Sequence, residues 1–84
     1  MIYSISIKQS AAKALAKLPR ADRVRIVGAI NQLKTNPAAG GVLKGEFAGL
    51  RRIRIDSYRV VYEIQNQQLI VLVIRIGHRR EVYR

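Results

Sequence analysis

The chain has 84 residues, one histidine, no cysteine and a formal net charge of +11 at neutral pH. This length suits one small hydrophobic core, so we expect a single domain over residues 1–84. Without cysteine the chain can form neither disulfides nor thiolate zinc sites, and its five scattered carboxylates do not predict a metal site. We therefore expect a function that needs no metal and no other cofactor.

The chain also lacks the sequence features of a membrane or secreted protein. No apolar run approaches the roughly 18 residues that span a bilayer. The first residues do not have the layout of a signal peptide. We therefore expect a cytoplasmic protein without a membrane segment.

The basic residues are unevenly distributed along the chain. Eight of the eleven arginines follow Leu50, whereas no lysine follows Lys44. The planar guanidinium group can hold a phosphate with two parallel hydrogen bonds, which a lysine cannot do. A charge of this size favours polyanionic partners such as nucleic acid, the ribosome, an anionic membrane or an acidic protein. The last third of the chain is therefore the predicted functional surface.

The first half of the chain predicts one strand and two helices. Apolar residues alternate with serines in Ile2–Ile7, as in a half-buried strand. Ser10 is a candidate N-cap for a first helix over Ala11–Leu18, which is rich in strong helix formers. Pro19 ends that helix and can begin a second, Arg20–Thr35, because proline is tolerated in a first helical turn. The apolar face of the second helix is predicted to contain Val24, Val27, Ile30 and Leu33, with Ile26 beside them.

The second half of the chain predicts strands only. We interpret the glycine-rich stretch Ala38–Gly49 as a flexible connector, because it does not open a helix as phosphate-binding loops do. Asn66 is suited to a left-handed conformation in the turn between the last two strands. The three strands are predicted over Leu50–Ile55, Tyr58–Ile64 and Leu69–Ile76.

Together these elements predict an α+β fold in the order βααβββ. The two-helix hairpin should pack on one face of a sheet whose last three strands form an antiparallel meander. Leu69–Ile76 is apolar on both faces, which is typical of a central strand that is covered on each side. Since the helices can cover only one side, we expect a partner protein on the other.

Strand alternation groups many of the arginines. If Ile53 and Val60 face the helices, Arg52, Arg54 and Arg59 face away from them. On the last strand, one parity contains Arg75, Arg79 and Tyr83, and the other contains His78, Arg80 and Val82. The pattern is compatible with a cationic cleft and with a solvated basic face, and alternation alone does not choose between them.

Four short motifs carry a resemblance to a known family. They are Leu43-Lys44-Gly45, Arg52-Ile53-Arg54, the run YRVVYEI that begins at Tyr58 and the run GHRREVY that begins at Gly77. In this order, behind two helices, they resemble the RelE/ParE toxin superfamily and most closely its RelE branch. The resemblance implies a toxin of a type II toxin–antitoxin system, an endoribonuclease that cleaves mRNA in the ribosomal A site without a metal. It also implies the cognate antitoxin, the ribosome and mRNA as partners.

The same resemblance implies which residues form the site. Catalytic roles are implied for Arg52, Arg54, Arg59, Arg79 and Tyr83, with Arg59 at the scissile phosphate and Tyr83 beside a base. We expect further basic residues to bind RNA, namely Lys44, Arg51, Arg75, His78 and Arg80. A structural or RNA-contacting role is favoured for His78 over a catalytic one, because alternation places it opposite Arg79.

Two other functions stay open at this point. The ParE branch is implied to have the same fold but to inhibit DNA gyrase without catalysis, and a gyrase inhibitor is the main alternative. A basic nucleic-acid-binding module without toxicity is the second. Discrete cuts in mRNA, inhibition of supercoiling, or growth without arrest would distinguish the three.

Overall fold

Two helices cover one face of a five-stranded sheet in the computed structural model, which describes residues 2–78. The strands follow one another across the sheet in the order β1-β5-β4-β3-β2. Single 3₁₀ turns at Pro37–Ala39 and Gly45–Phe47 lie on either side of β2. The strands are β1 (Ser4–Ile7), β2 (Gly41–Val42), β3 (Arg51–Ile55), β4 (Tyr58–Gln65) and β5 (Ile70–His78), and the helices are α1 (Gln9–Ala16) and α2 (Arg20–Gln32).

The predicted α+β class and element order are confirmed, and β3, β4 and β5 form the expected antiparallel meander. Two pairings were not predicted. β1 lies parallel to β5, with Ser4 opposite Ile70 and Ile7 opposite Val73. β2 lies inside the segment Ala38–Gly49, which we predicted to be a loop, and it pairs with β3. The sheet therefore contains both parallel and antiparallel pairs. Along its first half, β5 lies between β1 and β4 and is not an edge strand.

The helix boundaries and one helix face differ from the sequence-based expectation. α1 begins at Gln9, so Ser10 lies inside the helix and the predicted N-cap is wrong; Lys8 occupies that position without a side-chain cap. α2 buries Ile26 and Ile30 against the sheet, whereas Val24 and Val27 remain 63% and 40% exposed. Sequence spacing could not separate these two stripes, because apolar residues lie on both sides of the helix. The exposed valines help to line a shallow cavity of about 310 Å³ between the helices, with Leu15, Arg20 and Arg23.

The turn between β4 and β5 also differs from expectation. Asn66 was expected to take the left-handed conformation, but Leu69 takes it instead, with φ of 55°. The backbone N–H of Leu69 donates to the Asn66 carbonyl oxygen at 3.4 Å and closes the turn. Asn66 accepts a hydrogen bond from the Tyr3 hydroxyl at 2.8 Å through its side chain. The asparagine therefore links this turn to the chain just before β1.

The core lies between the helices and the sheet and is centred on Tyr62. This ring is fully buried. Its hydroxyl donates to the Pro37 carbonyl oxygen at 2.6 Å and accepts from the Gly40 N–H at 3.0 Å. A Cβ atom on Gly40 would lie 2.5 Å from both the Tyr62 hydroxyl and the Arg52 carbonyl oxygen. The chain therefore needs glycine at position 40 to pass this close to β3. The other buried residues that form this core are Ala11, Leu15, Ile26, Ile30, Leu33, Tyr58, Val60, Val71, Val73 and Ile76.

Candidate functional site

The helix-free face of the sheet carries two transverse rows of residues. In the first row, Arg52 of β3 lies opposite Val61 of β4, which lies opposite Arg75 of β5. Directly opposed residues in antiparallel strands point to the same face of the sheet. Val60 and Tyr62 belong to the core under the helices, so strand alternation turns Val61 and its row to the other face.

The second row lies one step nearer to the β3–β4 turn. Arg54 lies opposite Arg59, and Arg59 lies opposite Gly77. The glycine has no side chain, so the Arg59 guanidinium has room on the β5 side. We call the surface formed by Arg52, Arg54, Arg59 and Arg75 the arginine face. Its residues come from three adjacent strands.

A β-bulge in β5 places Arg75 on this face. The register with β4 changes between Val61 and Tyr62, whose partners are Arg75 and Val73, so Ile74 is an extra residue. In a regular strand Arg75 would share the face of Val73, which points under the helices. The inserted residue shifts the alternation and turns Arg75 outward. The core positions Val71, Val73 and Ile76 record the same shift, because their spacing changes from two residues to three.

The arginine face has a buried apolar residue at its centre. Val61 is fully buried although it does not belong to the helix-side core, and Arg52 and Arg75 flank it across the strands. Arginine side chains commonly lay their aliphatic stems on apolar surface while the charged heads reach outward. An apolar floor lowers the local dielectric constant and so strengthens electrostatic interactions with a bound charge. The face therefore combines fixed positive charge with a floor that contains no polar side chain at its centre.

In the second row, two positive charges face each other across neighbouring strands, and this affects what the arginine face can bind. Arg54 and Arg59 are direct cross-strand partners, and like charges at such positions repel. A phosphate bound between two guanidinium groups is attracted to both and offsets that repulsion. The same two arginines line a small cavity of about 70 Å³ together with Asp56 and Ser57 of the turn and Tyr58 of β4. The two arginines favour an anionic ligand, whereas Asp56, which pairs with Arg25, adds a carboxylate to the same cavity.

The structure places the residues predicted to bind RNA on different surfaces of the molecule. Arg75 joins the arginine face, whereas Arg51 lies on the helix side and donates to the Gly40 carbonyl oxygen at 2.9 Å. His78 lies opposite Tyr58, also on the helix side, and the two ring centroids are 5.0 Å apart. Lys44 is exposed just before the second 3₁₀ turn. The predicted roles of Arg79, Arg80 and Tyr83 fall on residues outside the described part of the chain.

A hydrogen-bonded network behind the arginine face was not predicted. The Tyr58 hydroxyl donates to Asp22 Oδ2 at 2.9 Å, and Arg25 donates to Asp22 Oδ1 at 2.6 Å. Arg25 also forms an ion pair with Asp56 in the β3–β4 turn, where Asp56 has a φ of 53°. The network therefore ties the start of α2 to the turn that connects Arg54 with Arg59. Local sequence gives no signal for this contact, because Asp22 and its partner Tyr58 are 36 residues apart.

The same network shifts the pKa values of its members. Hydrogen bonds from Arg25 and then Tyr58 hold the pKa of the Asp22 carboxyl below its ordinary value of 3.8. Acceptance by Asp22 raises the pKa of the Tyr58 hydroxyl. Both shifts favour the states present at neutral pH, namely an ionised Asp22 and a protonated Tyr58.

Replacing Asp22 by asparagine should therefore destabilise the fold in a pH-dependent way. A carboxylate whose folded pKa is depressed stabilises the fold above its unfolded pKa, and that contribution is lost as the pH falls through the folded pKa. Asp22→Asn should unfold at a lower urea concentration than the wild type at pH 7, and the difference should shrink below about pH 4. Tyr58→Phe removes one of the two hydrogen bonds to Asp22 and should give a smaller deficit at pH 7. A deficit that is the same at pH 7 and about pH 3 would contradict this account.

Residues 2–78 contain neither a cluster of metal ligands nor a helix that could span a membrane. Within that range, no group of three or more histidine, cysteine, aspartate or glutamate residues is placed to hold a metal ion. Within the same range, neither helix is long and apolar enough to cross a membrane.

Comparison with known proteins assigns the family. Residues 5–83 match the family model described as the ParE toxin of type II toxin–antitoxin systems, parDE. The chain belongs to the RelE/ParE toxin superfamily. The superfamily member Toxin RelG of Mycobacterium tuberculosis is 31% identical to it over 86 residues, covering 100% of this chain and 99% of that protein.

Solved structures of RelE/ParE superfamily members have the same fold. A chain of the toxin–antitoxin complex RelBE2 from M. tuberculosis superimposes with a TM-score of 0.86 at 30% identity, covering 94% of this chain and 100% of that one. A mutant of the E. coli toxin RelE in the free state superimposes with a TM-score of 0.83 at 27% identity, covering 99% of this chain and 92% of that one. The predicted superfamily is thus confirmed, and the protein is a toxin of the type II toxin–antitoxin class.

Proposed function

We propose that this toxin is a RelE-type endoribonuclease that cleaves mRNA in the ribosomal A site without a metal ion. The observation that supports this most strongly is the arginine face, on which Arg52 and Arg75 flank the buried Val61 and Arg54 and Arg59 form the next row. Guanidinium groups in fixed positions can bind phosphate and stabilise negative charge that develops during its reaction. A toxin that acts only by binding a protein does not need such an arrangement.

The chemistry is the attack of a ribose 2′-hydroxyl oxygen on the adjacent phosphorus. The new O–P bond forms as the bond from phosphorus to the 5′-oxygen breaks, which leaves a 2′,3′-cyclic phosphate and a free 5′-hydroxyl. The 2′-hydroxyl proton passes to a base, and the departing 5′-oxygen takes up a proton. The crowded transition state carries additional negative charge on the phosphate oxygens, which positioned cations stabilise.

We propose different parts for the two rows. Arg54 and Arg59 are directly opposed, so the scissile phosphate binds between them, with Arg59 as its main contact. Arg52 and Arg75 hold the neighbouring part of the RNA backbone. Arginine stays protonated at every physiological pH, so it stabilises charge but does not remove the proton. Tyr83 or a ribosomal group supplies the proton transfer, and Arg79 adds a further cation.

The ribosome and a cognate antitoxin are the proposed partners. The ribosome orients the mRNA for in-line attack, which supplies much of the entropic advantage of catalysis. Several of the similar structures are toxin–antitoxin complexes, including RelBE2 of M. tuberculosis and RelBE of E. coli. An antitoxin with an acidic or amphipathic segment would complement a net charge of +11. Both partners place the toxin in the cytoplasm.

A gyrase inhibitor is the second candidate function. It is favoured by one specific observation, namely that the matching family model carries the name of the ParE toxins. A gyrase inhibitor acts through a protein interface, and its effect would not require phosphate-binding arginines. The two candidates therefore differ in how they respond to loss of Arg59.

Mapping of RNA 5′ ends after brief induction of the toxin tests the proposal. The wild type should produce discrete new 5′ ends within translated codons, and Arg59→Ala should produce none. Arg20→Ala removes the same charge from an exposed position on α2 and should cut as the wild type does. Intact mRNA in growth-arrested cells, with supercoiling by purified gyrase inhibited equally by wild type and Arg59→Ala, would replace the endoribonuclease with the ParE-type function.

A further inference from the structure

One edge of β5 is left open where β1 ends. β1 pairs with β5 only from Ile70 to Val73, while β5 continues to His78. The backbone N–H of Lys8 donates to the Val73 carbonyl oxygen at 2.9 Å, and the chain then turns away into α1. Among the described strands, none pairs with residues 74–78 on this side. The edge of a sheet presents backbone N–H groups that can contribute to anion binding.

A cavity of about 320 Å³ lies along this open edge. Lys8, Ser10 and Ala11 line one side of it, and the other side consists of Ile74, Arg75, Ile76 and Gly77. The lining thus combines two cations, a hydroxyl group and a strand edge. These are groups that proteins use to contact the phosphates of nucleic acids. None of the described residues that line the cavity is acidic.

The cavity continues the first row of the arginine face. That row runs from Arg52 across Val61 to Arg75, and Arg75 also lines the cavity. Neighbouring strands lie about 4.8 Å apart, so the backbones of β3 and β5 are roughly 10 Å apart. A polyanion that crosses the strands along this row meets Arg52, then Arg75, and then Lys8 at the edge of the sheet.

We propose that the Lys8–Arg75 cavity is a second phosphate-binding subsite, which holds another phosphate of the RNA strand that is cleaved. This inference rests on the proposed endoribonuclease function and adds Lys8, which lies before α1 and outside all of the sequence motifs, to the RNA path. The ligand is the phosphodiester backbone of single-stranded RNA. Because the contacts are to phosphate, the subsite contributes affinity and register but no base preference.

The bulge argues against a protein strand as the occupant of this edge. An added β-strand needs regularly spaced backbone groups, and a bulge disrupts that spacing and protects an edge from strand addition. The extra residue Ile74 lies at the start of the open stretch. A flexible phosphodiester chain has no such requirement for regular spacing. The combination of an irregular edge with two cations therefore favours RNA.

Binding of a short single-stranded RNA to the free toxin, measured by fluorescence anisotropy over a range of salt concentrations, tests the subsite. Every ribose of the probe carries a 2′-O-methyl group, so that it cannot be cleaved. Lys8→Gln should weaken binding roughly fivefold at low salt and reduce the slope of log affinity against log salt concentration by about 0.7. Lys13→Gln, which removes the same charge from an exposed position on α1, should change neither quantity.

The possible outcomes distinguish a failure of the proposed subsite from a failure of the proposed function. Arg59→Ala reports on the function, and the comparison of Lys8→Gln with Lys13→Gln reports on the subsite. Equal effects of the two lysine substitutions, with binding still dependent on Arg59, overturn the subsite alone. RNA binding that depends on neither Arg59 nor Lys8 overturns both. If Lys8→Gln weakens binding of the antitoxin but not of RNA, the edge belongs to a protein partner and the subsite is overturned.

Discussion

Arg59→Ala should lower the rate of mRNA cleavage on programmed ribosomes by about 100- to 1000-fold, the usual effect of removing one positioned donor from a charged transition state. Arg59 is half-buried, lies two residues before the buried Val61 on the same face of β4, and is opposite Gly77 of β5. The Arg59 side chain is therefore less exposed to solvent than that of Arg54. The measurement is single-turnover cleavage with the toxin in excess over programmed ribosomes, which separates chemistry from product release.

A double-mutant cycle with Arg54 and Arg59 tests this first prediction further. Because Arg54 and Arg59 are direct cross-strand partners, they should act on one phosphate, and their effects on rate should not be additive. The double variant should lose less activity than the product of the two single losses. Arg20→Ala serves as the charge-matched control and should retain the wild-type rate. Strictly multiplicative losses would show that the two arginines act on separate groups.

Gly40→Ala should cost about 3 kcal/mol of folding stability and lower Tm by more than about 10 °C. The new Cβ atom would lie 2.5 Å from the Arg52 carbonyl oxygen and 2.5 Å from the Tyr62 hydroxyl oxygen. A backbone oxygen can move only if β3 moves. The hydrogen bond from the Gly40 N–H to the Tyr62 hydroxyl would be strained at the same time. Thermal unfolding followed by circular dichroism measures the effect.

The adjacent glycine provides the control for this second prediction. A Cβ atom on Gly41 would meet nothing within 4 Å, so Gly41→Ala should change stability by no more than about 0.5 kcal/mol. Because Arg52 belongs to the arginine face, Gly40→Ala should also reduce cleavage by the molecules that remain folded. Equal stabilities of the two alanine variants would show that the segment around Gly40 can move away from β3.

The arginine face could be predicted in large part from local sequence. The alternation of Ile53, Val60 and Tyr62 with arginines was sufficient to place Arg52, Arg54 and Arg59 on the face away from the helices, and the strand register confirms that placement. Alternation has a period of two residues and needs no information from distant parts of the chain. The same rule puts Arg51, which lies opposite Tyr62, on the helix side of the sheet.

Features that depend on distant parts of the chain could not be predicted in this way. The parallel pairing of β1 with β5 joins residues more than 60 positions apart and leaves no local signal. The contact of Asp22 with Tyr58 and the close approach of Gly40 to Tyr62 are of the same kind. Each depends on how the helices and the connector pack against the sheet, and the local pattern of apolar and polar residues does not determine that packing. The change in apolar spacing after Val73 was a local signal for the bulge, but a short apolar run can be read as a regular strand.

The bulge also bears on how β5 finds its correct alignment during folding. A straight pairing of the whole strand would keep every apolar contact of Val71 and Val73 but would rotate Arg75 beneath the helices and Ile76 toward water. Burying an uncompensated guanidinium costs several kcal/mol, so the charge at position 75 makes that misalignment unfavourable. The cationic side chain at position 75 thus disfavours the regular register and favours the bulged one before any RNA is present.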